Sequence, residues 1–171
     1  MEIDLTAEDI YRELYRRKFR KRDYIFPDSG PLSYKNYPKH LSFFSSTKNN
    51  REAAFMAANR AGKSEAGAYA LTCWLTGEYP DWWMGKKFNR RVNVLACGET
   101  GKLVRDSLQK KLLGEPAEIG TGMIPKENIV FTRPKPGIPD AIDTARIAGV
   151  HGESVLQFMS YDQGRAAFQA T

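Results

Sequence analysis

Residues 53–66 read Ala53-Ala54-Phe55-Met56-Ala57-Ala58-Asn59-Arg60-Ala61-Gly62-Lys63-Ser64-Glu65-Ala66. A compact apolar run over 53–56 predicts a strand, and it leads into a glycine- and alanine-rich turn. A helix-forming run leads out, predicting a long helix from about 62 to 75, closed by Gly77. The turn matches the phosphate-loop pattern G-x-x-x-x-G-K-[ST] at its second glycine, its lysine and its serine, with Ala57 where the first glycine would stand. That order suits an anion. The backbone amides of Ala58, Asn59, Arg60, Ala61 and Gly62 and the helix N-terminus converge on one spot. Gly62 lets the backbone approach a ligand without a Cβ, and Lys63 adds a mobile positive charge. The Ser64 hydroxyl suits a magnesium ion bridging phosphates. Arg60 adds charge beside them, as a phosphate sensor or as a solvent-facing loop residue. A chance Gly-Lys-Ser at a helix start is the competing reading.

The rest of the chain sets that turn in an α/β pattern. Helices are predicted over 6–22, 39–45 and 100–113, and strands over 92–97, 128–132, 144–150 and 154–161, the last two as a hairpin. Thr6 with Asp9 makes a capping-box-like start for the first helix. Residues 26–37 read as a linker or extended arm, and the three prolines within 133–140 exclude regular structure there. Alternation of strand and helix predicts a mostly parallel central sheet flanked by helices.

Length and composition bound the function. The chain has 171 residues, 42% hydrophobic and 27% charged, which suits one globular domain with a small appendage. No apolar run is long enough for a membrane-spanning helix, so no membrane partner is expected. Cys73 and Cys97 lie in apolar stretches outside any CxxC pattern and read as reduced core residues of a cytosolic protein. Only His40 and His151 are present, against a histidine-rich metal site. The net charge of +6 favours polyanionic partners. Two basic clusters carry it: Arg12, Arg16, Arg17, Lys18, Arg20, Lys21 and Arg22 near the start, and Lys86, Lys87, Arg90 and Arg91. Each reads either as a contact for DNA phosphates or a partner, or as a solvated surface.

Several further runs, in order, carry a family resemblance. They are Tyr37-Pro38-Lys39-His40-Leu41-Ser42-Phe43-Phe44, the turn itself, Leu75-Thr76-Gly77-Glu78-Tyr79-Pro80-Asp81-Trp82-Trp83, Cys97-Gly98-Glu99-Thr100 and Ser160-Tyr161-Asp162-Gln163-Gly164-Arg165. Together they resemble the N-terminal ATPase region of the large terminase subunit of tailed bacteriophages. The resemblance implies an α/β P-loop NTPase fold of the additional-strand type, incomplete at the C-terminus. It also implies an N-terminal basic helix and linker arm over 1–35, a partial ATPase domain over 36–171, and a nuclease domain that is absent. ATP and Mg²⁺ are the implied cofactors. Implied catalytic residues are Lys63, Arg60 and Arg165, the last reaching a neighbouring subunit's ATP. Implied nucleotide contacts are residues 58–65 (Glu65 included) with His40 and Tyr37, and Ser64 is the implied metal ligand.

Implied partners are double-stranded DNA, the portal protein and the small terminase subunit, in a homo-oligomeric ring in the host cytoplasm. The family's Walker B acids would follow beyond Thr171. Asp162, at the end of the run 155–162, is a poor substitute, because Gln157 and Ser160 interrupt the apolar pattern and Gln163 follows where a glutamate is wanted. The implied function is therefore an ATPase motor portion that drives DNA into a procapsid and is hydrolysis-deficient alone. The alternative is a catalytically inactive remnant that binds DNA or partners.

Overall fold

The structure, a computed structural model, describes residues 6–164. The long helix expected after the glycine–lysine–serine turn is present as Lys63–Thr76, which we call α3 following α1 (Ala7–Phe19) and α2 (Pro38–Ser46). It is apolar on several sides at once, as a helix enclosed by other elements must be. Ala66, Ala70, Cys73 and Leu75 are buried, and so are the hydroxyl-bearing Thr72 and Thr76. Those hydroxyls donate to the carbonyls four residues back, Ala68 O and Thr72 O, each at 2.8 Å, so their burial leaves no unpaired donor. Gly77 ends α3 in the left-handed conformation, with φ of 72° and its amide on Cys73 O.

One side of α3 packs on a four-stranded sheet. Its strands are β1 (Asn93–Gly98), β2 (Ile129–Pro134), β3 (Ile142–Gly149) and β4 (Gly152–Ser160), in the order β1-β4-β3-β2. Alternation along β3 and β4 places Ala145 and Ile147 beside Leu156 and Phe158 in the core, and α3 contacts both strands. The expectation of a mostly parallel sheet is corrected. Among the described residues only β1 and β4 run parallel, from Asn93 opposite Val155 to Gly98 opposite Ser160. The pairs β2–β3 and β3–β4 are antiparallel. The cause is local: a tight turn at Val150-His151 joins β3 to β4, and such a turn can only reverse the chain.

The expected strand over 53–56 is also corrected, since residues 52–58 carry no regular structure. Alanine has little strand preference, and no neighbouring strand hydrogen-bonds this run among the described residues. Phe55 is fixed by its ring instead, stacked on Phe43 at 5.0 Å.

A second core of rings covers another side of α3. Tyr69 meets Phe26, Phe44, Trp82 and Trp83 at centroid distances of 5.2 to 6.4 Å. Trp74 and Trp83 both donate to Lys86 O, which fixes their rings in this packing. After β1 the chain forms one continuous helical stretch: α4 (Gly101–Leu103), a π segment (Val104–Gln109) and α5 (Lys110–Leu113). The buried Gln109 spans from this stretch to the following loop. Its side chain donates to Asp140 O and accepts from the Ile142 amide, both at 2.8 Å.

The N-terminal basic face is consumed internally. Arg12 and Arg17 pair with Glu8 and Glu13 along α1, which the Thr6–Asp9 capping box opens. Arg16 pairs with Asp23, Lys18 with Glu118, and Arg20 with Asp23 and Glu127. Lys21 meets Glu65, and Arg22 meets Glu78 and the Thr76 hydroxyl. No helix among the described residues is long and apolar enough to cross a membrane.

Candidate functional site

The turn before α3 is built from two left-handed residues. Arg60 has φ of 62° and Gly62 has φ of 78°. Ala61 N–H donates to Ala58 O at 3.4 Å, and Ala66 N–H donates to Gly62 O at 2.9 Å as the first turn of α3 closes. Gly62 stands at the helix N-cap with no side-chain cap. The amides of Lys63, Ser64 and Glu65 have no hydrogen-bond partner among the described residues. Free amides at the positive end of a 14-residue helix leave the turn with unpaired donors of the kind anions favour. Lys63 reaches back over it, and its Nζ donates to Ala57 O at 2.6 Å and Ala58 O at 2.7 Å. The ammonium thus lies across the turn, held by two neutral acceptors that an anion would outcompete. Ser64 is exposed beside it, and Arg60 has no ion pair among the described residues.

Gly62 also has a packing role. A Cβ there would lie 3.0 Å from His40 Nε2. His40 is only 8% exposed and sits edge-on between Tyr37, at 5.3 Å, and Phe55, at 5.0 Å. His40 is thus no helix-surface residue: α2 aims its ring inward, against the turn. Burial lowers its pKa from the usual imidazole value, and the backbone at Gly62 and Ala61 opposes that shift. Tyr37 and Phe43 do not sandwich a common space, since Phe43 stacks on Phe55 while Tyr37 turns toward Phe26.

Beside the turn lies a pocket of about 290 Å³. Tyr37, His40, Arg60, Gly62 and Glu65 are in its wall, with Phe26 and its neighbours from the arm closing the other side. Among the described residues, Phe26 and Arg60 account for two of the three non-glycine residues with positive φ, the other being Asp140. Such strain concentrates at functional sites. Sequence reasoning missed Ile25, Phe26 and Leu32 as pocket residues, because nothing local shows that the arm folds back over α2 and α3.

The remaining expected residues lie elsewhere. Asp162 Oδ2 accepts from the Gly101 amide at 3.4 Å, beyond the end of β4. A hydrogen bond with Ser160 holds its carboxyl below the usual range. Thr100 caps α4, its hydroxyl accepting from Leu103 N–H at 3.2 Å. Arg165 lies outside the described residues. Among the described residues no cluster of three or more histidine, cysteine, aspartate or glutamate side chains could hold a metal.

Fold and turn define an α/β protein with a Gly-Lys-Ser turn at the head of its central helix. Comparison with known proteins gives the family. The family model described as "Terminase large subunit, T4likevirus-type, N-terminal" matches residues 54–171. The chain is similar to the "Terminase, large subunit" of Salmonella phage P22, with 34% identity over 154 residues, covering 78% of this chain and 31% of that protein. It thus spans about a third of that relative's length. No solved structure matches it. The chain belongs to the terminase large-subunit family.

Proposed function

We propose that the turn over 57–64 is the phosphate-binding loop of a P-loop NTPase region, and that it binds ATP with Mg²⁺. The observation that carries this reading is the set of free amides of Lys63, Ser64 and Glu65 with the Lys63 ammonium poised above them. When bound, the metal would supply charge neutralisation at the phosphates. The chain's own contribution is positional. Gly62 brings the backbone close, Lys63 exchanges carbonyl for phosphate oxygens, and the Ser64 hydroxyl meets the metal. Arg60 adds a charge at the rim, and the pocket beside Tyr37 and His40 receives the base.

In the longer protein this region would power movement of double-stranded DNA into a procapsid. It would do so as a homo-oligomeric ring with the portal protein and the small terminase subunit, Arg165 serving a neighbouring subunit. Membership of the terminase family supports that role. The cluster Lys86, Lys87, Arg90 and Arg91 is exposed and makes no ion pair among the described residues, so it is the better candidate for DNA phosphates than the α1 face. That same cluster favours the second reading, a catalytically inactive module binding DNA or a partner.

Titration with a fluorescent ATP analogue and Mg²⁺ separates the two. The first reading predicts saturable binding that Lys63→Ala weakens by at least about tenfold, the loss of one charge-assisted contact. Equal affinity of parent and variant would favour the inactive module.

A further inference from the structure

The Glu65 carboxylate divides its two oxygens between different surroundings. Oε1 accepts from Lys111 Nζ at 2.6 Å, with Lys21 Nζ at 3.8 Å. Oε2 is buried and accepts no hydrogen bond, and no other buried side-chain nitrogen or oxygen among the described residues lacks a partner. A buried acceptor without a donor is costly, and an isolated one calls for a cause. The position explains why a carboxylate is tolerated there: Glu65 lies in the first turn of α3, where the helix dipole favours negative charge. It is also in the wall of the pocket beside the turn, with Tyr37 and His40. The side chain stays 30% exposed, so the oxygen is covered at the pocket's edge and not sealed in the core. The terminal torsion of a glutamate is soft, so an unpartnered Oε2 beside the pocket can adjust toward a donor that enters it.

We infer that Glu65 reads the nucleobase. Oε2 accepts the exocyclic amine of a 6-aminopurine, so the site selects adenine over 6-oxopurines, whose oxygen would face a second acceptor. This rests on the nucleotide-binding reading above, and it adds a specificity determinant to the phosphate contacts. Lys111 becomes a positioning residue, because it decides which oxygen of Glu65 is left for the base. A buried acceptor left facing another acceptor should discriminate by about tenfold or more.

The test is displacement of a fluorescent ATP analogue by ATP, by ITP and by tripolyphosphate, with Mg²⁺ present throughout. The parent protein should bind ATP at least about tenfold more tightly than ITP. In Glu65→Gln, Lys111 still selects the amide oxygen, so the amide NH₂ takes the place of Oε2 and donates. The preference should then fall to near unity or invert toward ITP, a ratio that a general change in phosphate affinity would leave unmoved. Lys111→Met should lower the preference without inverting it. Thermal unfolding of both variants shows that they are folded, and the comparison of ATP with ITP in the parent needs no variant. Equal binding of ATP and ITP by the parent, or an undiminished preference in a folded Glu65→Gln, would overturn the base-reading role. The phosphate site would then still stand if Lys63→Ala abolishes binding. Failure of all three ligands to displace the analogue, or of the analogue to bind, would overturn the nucleotide reading and this inference with it.

Discussion

Replacing Gly62 by alanine tests the turn where its backbone and its packing meet. Gly62 has φ of 78° and ψ of 14°, a conformation that costs an L-residue about 1–2 kcal/mol. The new methyl would also lie 3.0 Å from His40 Nε2. His40 cannot easily retreat, because Phe26, Tyr37 and Phe55 surround its ring at 5.6, 5.3 and 5.0 Å. Adding a few tenths for that crowding, the change should destabilise the protein by about 2 kcal/mol, or roughly 4–8 °C in Tm for a chain of this size. Circular dichroism melts of the parent, Gly62→Ala, His40→Ala and the double variant measure it. The double variant should lose less than the sum of the singles, because removing the imidazole relieves the crowding but not the backbone strain. A Gly62→Ala melt within about 1 °C of the parent would refute the left-handed turn, since strain of this kind has no other outlet. Strict additivity would refute the His40 contact alone.

Three further outcomes follow from the same structure. A Cβ at Gly149 would fall 2.5 Å from Thr76 O and 2.8 Å from Leu75 O, where β3 meets the end of α3. Gly149→Ala should therefore cost about 2–3 kcal/mol in a denaturant titration, the upper part of the overpacking range, because backbone cannot step aside. His40 has a pKa lowered by burial, so as pH falls through the ordinary value of 6.5 the unfolded chain takes up a proton before the folded one. Its contribution to stability is thus complete above pH 6.5 and declines between there and its lowered folded pKa. Urea midpoints measured from pH 7.5 to 5.5 should show a slope that His40→Phe reduces, and an unchanged slope would contradict the burial. Burial pushes the Cys73 thiol up to about 12. Iodoacetamide at pH 8 should leave Cys73 unmodified in the native protein and alkylate it only after unfolding, as peptide mass spectrometry would show.

Local signals were legible in the sequence and long-range ones were not. The Gly-Lys-Ser turn announced α3, and apolar runs bounded by glycine and proline announced β1 and the β3–β4 hairpin, because these follow from neighbouring residues. The direction of the sheet was misjudged in part: the β3–β4 hairpin is antiparallel as expected, but strand–helix alternation suggested parallel pairing elsewhere and β2 runs antiparallel to β3. The run over 53–56 is apolar enough for a strand, but strands form only with a partner, and partners are invisible in a local window. The basic run of α1 shows the same blindness. Lys18 and the adjoining Arg20, Lys21 and Arg22 are taken up by Glu118, Glu127, Glu65 and Glu78, all far along the chain. At the candidate site, sequence pointed to the turn, His40 and Tyr37. It could not show that Phe26 closes the pocket or that one Glu65 oxygen is left unpaired.

The central claim is that the amides at the head of α3 are an anion cradle. Amide-resolved NMR titration with Mg²⁺ and ATP tests it most directly. The account predicts large, saturable shifts for Gly62, Lys63, Ser64 and Glu65, smaller ones at His40, and none when Lys63→Ala is titrated over the same range. Shifts scattered over the surface, or strongest at 86–91 with the turn unmoved, would contradict it.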